Sequence, residues 1–199
     1  MSLAVFAYGS LVSAASAAET LGRPPRTGWP DGDAAPAMLR GWRRRFSVIR
    51  DNRACEKTFA LDADGSLPDH VLGLNIEPTG DPGDRVNGLL IAVSAAELER
   101  LDARELRYDR REVAVEPAAA AERFSAVLTY VAKPEHHAPA APPGAVILRS
   151  YVAAVEAAFA ELGPGQLDEY RRTTGPHPVE PVDAHLAADR IPDGNPRGW

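Results

Sequence analysis

A single cysteine, Cys55, stands in 199 residues, which leaves no partner for a disulfide framework and too few thiols for a cysteine-based zinc cluster. Nothing in that usage points to an oxidising compartment. Lysine is also scarce: only Lys57 and Lys133 among 22 cationic side chains, a coding bias rather than a functional signal. A surplus of positive charge is missing too. With 28 acidic residues against 22 basic ones the formal net charge is −6, whereas a phosphate-binding surface needs Lys and Arg in excess on at least one face. Nucleic acid is not an expected partner. No apolar run approaches the ~20 residues needed to span a bilayer. The segment up to Ala17 is apolar and rich in small residues, but its first cation is Arg23, and a secretory leader carries positive charge ahead of its apolar stretch. The expected location is the cytoplasm, with no membrane partner.

What is present suits one soluble domain with an irregular fringe: 45% hydrophobic residues, 18 Pro and 16 Gly. Leu3 to Ala7 reads as a buried strand that runs into a tight turn at Tyr8-Gly9-Ser10. Ser13 to Leu21, closed by Gly22, reads as a short helix, and Arg23 to Pro36 as a loop. Further strands are expected at Met38 to Ile49, Thr58 to Leu61, Val71 to Ile76 and Arg85 to Val93. Ser94-Ala95-Ala96-Glu97 fits the capping box that opens a helix, here to about Glu105. Strands at Arg111 to Glu116 and Ala126 to Ala132 follow, then a Pro/Ala connector from His136 to Gly144. Leu148, Tyr151, Val152, Val155, Phe159 and Leu162 recur at helical spacing up to Gly163-Pro164. Gln166 to Thr174 is a further helix candidate. The pattern predicts an α+β domain over residues 1–175 whose short strands form a strongly curved or closed sheet, followed by a Pro-rich tail over 176–199 that wraps the surface.

Several chemically suggestive groups have plainer readings. Cys55 lies among cations that favour a thiolate, but no His/Asn pattern accompanies it. His136-His137 and the pair His177 and His185, with Glu180 and Asp183 nearby, lie in Pro-rich segments ill suited to rigid coordination, so no metal is expected. Arg40 and Arg43-Arg44-Arg45, with Trp42 and Phe46, read as a solvated strand edge that discourages pairing with another sheet.

Glu105 is the more informative residue. Leu98, Leu101 and Glu105 are i, i+3 and i+7, so this carboxylate shares the apolar face of its own helix. A carboxylate held against a core finds a partner or raises its pKa, and a raised pKa suits a general acid/base near neutrality. The alternative is a structural ion pair with an arginine such as Arg107 or Arg110. Tyr8-Gly9-Ser10-Leu11 is the second feature, either an ordinary turn or a loop whose backbone N–H groups face an anion.

Taken in order along the chain, these motifs carry a resemblance. Val5-Phe6-Ala7-Tyr8-Gly9-Ser10-Leu11 resembles the strand-to-loop signature of the γ-glutamylcyclotransferase-like superfamily, with its ChaC-type and AIG2-like branches. Asp84 to Val93 resembles the family's glycine-containing strand, and Glu105, closing Leu101-Asp102-Ala103-Arg104-Glu105, matches its catalytic glutamate. Tyr108, Arg110 and Val113 resemble the Y-x-R-x-x-V continuation of AIG2-like members, and Ser150-Tyr151 the tyrosine of the family's late helix. The resemblance spans most of residues 4 to 170.

It implies a small, closed, mixed β-barrel flanked by helices, and an intramolecular reaction in which the α-amine of a γ-glutamyl group attacks its own γ-carbonyl and releases 5-oxoproline. Glu105 is then the base and acid. Tyr8, Gly9, Ser10, Leu11, Tyr108 and Tyr151 bind substrate, and neither metal nor organic cofactor takes part. Leu11 directly after Ser10 is similar to ChaC-type proteins, whereas Leu106-Arg107-Tyr108 replaces their glycine pair. Glutathione, γ-glutamyl amino acids and γ-glutamylamines therefore all stay open as substrates. The alternative function is a non-enzymatic binder of a γ-glutamyl-like metabolite or a partner protein on the same fold.

Overall fold

The computed structural model describes residues 2–24, 29–30 and 32–191. Parts of the expected Arg23 to Pro36 loop and the last eight residues of the expected tail, 192–199, lie outside them.

The first strand, β1 (Leu3–Ala7), is the centre of a five-stranded sheet ordered β2-β6-β1-β8-β7, with β2 at Ala34–Arg40, β6 at Arg85–Val93, β7 at Tyr108–Glu112 and β8 at Ala126–Ala132. It pairs antiparallel with β6 and parallel with β8, so the sheet is mixed. A second sheet is ordered β10-β9-β5-β3, from β3 (Trp42–Asp51), β5 (His70–Pro78), β9 (Ala145–Leu148) and β10 (Pro181–Val182). A two-stranded ribbon joins β4 (Lys57–Leu61) to β11 (Ala184–Asp189). The sheets curve into a half-barrel, and Asn75, buried on β5, accepts the Ala132 N–H of β8 at 2.9 Å to tie one to the other. With the flanking helices α1 (Ala14–Leu21), α2 (Ala95–Arg104), α3 (Ala118–Ala121), α4 (Arg149–Glu161) and α5 (Gln166–Thr173), this is the expected α+β fold.

The core is continuous from β1 and β6 through the inner residues of β5 to Val155, Phe159 and Leu162 of the late helices. Gly88 sets the closest approach: a Cβ there would collide with the Ala7 carbonyl and lie 2.7 Å from the Phe6 ring. No side chain fits between β6 and the end of β1, which is where the Tyr8-Gly9-Ser10 turn begins.

Between Ala34 and Arg45 three expectations change. The predicted Met38 to Ile49 strand is two strands, β2 and β3, divided at Gly41, whose φ of +76° bends the chain. The first of them starts at Ala34, inside the expected loop. It tolerates Pro36 because it is an edge strand, where a missing N–H breaks no ladder. The arginine run is not wholly solvated either: Arg43 is exposed, but Arg44 points inward and is fully buried. Among the described residues, no helix is long and apolar enough to cross a membrane, and no group of three His, Cys, Asp or Glu side chains could hold a metal ion.

Candidate active site

The site begins with how α2 is held. Ser94 Oγ accepts the Glu97 N–H at 3.3 Å, and the Glu97 carboxylate accepts the Ser94 N–H at 2.8 Å, a complete capping box. Arg23 grips the same carboxylate, Nε to Oε1 at 2.5 Å, and its bond holds the Glu97 pKa down at about 2. One turn on, Arg100 Nε donates to the Thr20 carbonyl of α1 at 2.9 Å. Leu98 and Leu101 bury the inner face. The helix ends with Arg104 inside the protein and Glu105 as its C-cap residue.

Arg104 organises the polar groups around the helix end. Its guanidinium is buried and donates to Ser16 Oγ at 3.0 Å, to Thr20 Oγ1, and through Nη2 to Ser10 Oγ at 2.9 Å, while Nε lies 3.2 Å from Glu105 Oε1. Nε and Nη2 form one edge of the planar group, so the Glu105 carboxylate and the Ser10 hydroxyl sit side by side on it. Glu105 thus has its ion pair with Arg104. The two arginines expected as partners are engaged elsewhere, Arg107 with Glu56 at 2.9 Å and Arg110 with Asp102 at 3.3 Å.

The Glu105 side chain is only 17% exposed, and the residue lines two adjoining cavities. The inner one, about 50 Å³, is walled by the β1 strand and its loop from Val5 to Leu11 and by four tyrosines, Tyr8, Tyr108, Tyr130 and Tyr151. The outer one, about 150 Å³, extends over β3, β4 and β5. Ser10, Glu105, Tyr108 and Tyr151 belong to both and mark where they meet. The loop approaches Tyr151 closely: a Cβ on Gly9 would lie 3.4 Å from its hydroxyl. Tyr8 donates to the Tyr130 carbonyl at 2.7 Å, and Tyr108 to the Leu74 carbonyl at 2.8 Å.

Burial pushes all four phenols above their ordinary pKa, and the negative charge of Glu105 raises each further. They therefore remain neutral hydrogen-bonding groups. Among the side chains that line both cavities, Glu105 carries the one carboxylate.

All seven residues singled out in the sequence, Tyr8, Gly9, Ser10, Leu11, Glu105, Tyr108 and Tyr151, line the inner cavity. Two neighbours escaped the sequence reading. Arg104 is at i+3 from Leu101 and so satisfies the same periodicity that marked Glu105, a signal that was available. Tyr130 lies within the apolar run of β8, where nothing separates a site residue from a core aromatic. Its hydroxyl donates to Asp102 at 2.8 Å.

Residues 5–149 match the family model described as "Gamma-glutamyl cyclotransferase, AIG2-like". A solved structure described as "Gamma-glutamyl cyclotransferase" superposes with a TM-score of 0.56 at 16% sequence identity, covering 92% of this chain and 94% of that chain. The crystal structure of an uncharacterized protein from Homo sapiens superposes with a TM-score of 0.53 at 18% identity, with the same coverage of 92% and 94%. At these identities the likeness is one of fold. No curated protein sequence matches the chain significantly.

Proposed function

The chain belongs to the AIG2-like gamma-glutamyl cyclotransferase family, and on that premise we propose that it releases 5-oxoproline from a γ-glutamyl substrate with Glu105 as general base and acid. An α-amine has a pKa near 8, so a large share is protonated at neutral pH and must lose a proton before it can attack. Its nitrogen then forms the bond to the γ-carbonyl carbon while the bond from that carbon to the attached nitrogen breaks. The ring nitrogen ends with one hydrogen, and the departing nitrogen takes up those it gave away. Glu105 accepts from the first and donates to the second.

Nucleophile and electrophile already share one molecule, so the protein's main task is to fold the substrate back on itself. The loop from Tyr8 to Leu11 anchors the α-carboxylate or meets the developing negative charge on the carbonyl oxygen, and Tyr108 and Tyr151 wall the reacting atoms. No step calls for a metal or an organic cofactor.

The observation that carries this reading is the position of one carboxylate at the junction of two cavities whose other titratable groups there are phenols held neutral by burial. The test is a panel of γ-glutamyl peptides, amino acids and amines, with 5-oxoproline followed by mass spectrometry. Turnover of at least one class is expected. Binding across the panel with no 5-oxoproline from any class would replace the enzyme with a ligand-binding protein of the same fold.

A further inference from the structure

Outward from Glu105 the larger cavity changes character, since four cationic side chains and two carboxylates line it. Both carboxylates are engaged by arginines, Glu105 by Arg104 and Glu56 by Arg107. Lys57, 5% exposed at the start of β4, adds a cation 3.9 Å from Asp189. Arg50 on β3 is the distinctive member. Its guanidinium stands 5.1 Å from the centroid of the Phe59 ring and makes no side-chain hydrogen bond or ion pair among the described residues. Burial is the main influence on it and lowers its pKa. A planar fork of donors, partly desolvated and facing a cavity whose two carboxylates are each held by another arginine, is a receptor for a further one.

Resting on the reading of the site as a cyclotransferase, we propose that this outer chamber receives the departing half of the substrate and that Arg50 recognises a carboxylate on it. The inner cavity, at about 50 Å³, takes the glutamyl half, which sets the scissile bond at Glu105 and directs the attached group outward. Val48, Val71 and Leu148 supply apolar wall beside the cation. The preferred substrates are then γ-glutamyl amino acids or peptides, and γ-glutamylamines are poor ones.

The test compares γ-glutamylglycine with γ-glutamylmethylamine, which differ by that carboxylate. A charge-assisted fork predicts a preference of roughly 10- to 100-fold in kcat/KM for the first. Arg50→Met should bring the ratio near unity, and Arg50→Lys, which keeps the charge and loses the fork, should retain part of it. No preference in the native protein overturns the proposal. So does an Arg50→Met variant that slows both substrates alike, since the guanidinium would then serve the glutamyl half. If neither compound yields 5-oxoproline, calorimetric binding of the same pair decides. A carboxylate preference lost in Arg50→Met keeps the anion site, equal binding removes it, and the cyclotransferase reading stands or falls separately with the full γ-glutamyl panel.

Discussion

At the scale of single residues, Arg104 sets where Glu105 stands. A carboxylate at a helix end is ordinarily free to swing, but one edge of a buried guanidinium fixes this one beside Ser10 Oγ. Arg104→Met removes that edge while keeping most of the side-chain volume, and the expected result is a fall of about 10- to 100-fold in kcat. Measured well below the variant's melting temperature, a loss in kcat with little change in KM separates misplaced chemistry from weakened folding. Periodicity made Glu105 legible because a charge at i+7 on an apolar face is conspicuous. The same geometry held for Arg104, yet a cation there reads as a snorkelling side chain until Ser16, Thr20 and Ser10 are seen to surround it. Arg50 and Lys57 were not legible at all, since only the curvature of the sheet brings β3 and the start of β4 to the cavity that Glu105 faces.

At the scale of elements, α2 is anchored by a cap at one end and serves the site at the other. Glu97 is held in its charged form by Arg23, and the direction of the pKa shift fixes the sign of its effect on stability. A depressed carboxylate pKa stabilises the fold above the unfolded value near 4.5 and loses that contribution as pH falls toward about 2. Glu97→Gln should therefore destabilise the protein at pH 7 by on the order of 2 kcal/mol, and the difference from the native protein should shrink steadily below pH 4.5 in urea titrations. Strand β6 makes a second prediction. Gly88→Ala forces a methyl into the Ala7 carbonyl and the Phe6 ring, and a cost of about 1 to 3 kcal/mol is expected in chemical denaturation. The cap on α2 could be read from Ser94 and Glu97 because its signal is local. Strand β9 could not, because Ala145 to Leu148 runs directly into a helix whose apolar spacing already claimed Leu148. The expected Arg111 to Glu116 strand, too, is displaced to Tyr108–Glu112, where pairing with β8 decides the register.

At the scale of the whole molecule, a few long-range ties hold the two sheets, the late helices and the C-terminal strands together. Arg44 is one of them. Fully buried on β3, it donates to the Asn87 carbonyl of β6 and at 3.1 Å to Thr174 Oγ1, and lies over the rings of Phe159 and Tyr170. Arg44→Met leaves the buried Asn87 carbonyl without this donor and removes the contact with both rings, and a loss of about 3 kcal/mol in unfolding free energy is expected from denaturant titration. Residues 181–189 add strands to β9 and β4, and Ile191 reaches the wall of the outer cavity. The Pro-rich composition of the 176–199 tail gave no hint of this, because pairing with β9 and β4 comes from tertiary contact rather than local propensity. The overall class was readable from the alternation of short strands with capped helices, whereas the joining of the sheets through Asn75 and Arg44 was not. Residue, helix and sheet converge on one outcome, a single carboxylate placed at the meeting of two cavities. Its role is tested most directly by the rate of 5-oxoproline release from the native protein's best γ-glutamyl substrate, measured side by side for the native protein and Glu105→Gln, with melting temperatures recorded on the same samples. A fall of about 1,000-fold or more without a matching loss of stability is the predicted result. A folded Glu105→Gln variant that releases 5-oxoproline at the native rate would contradict the account.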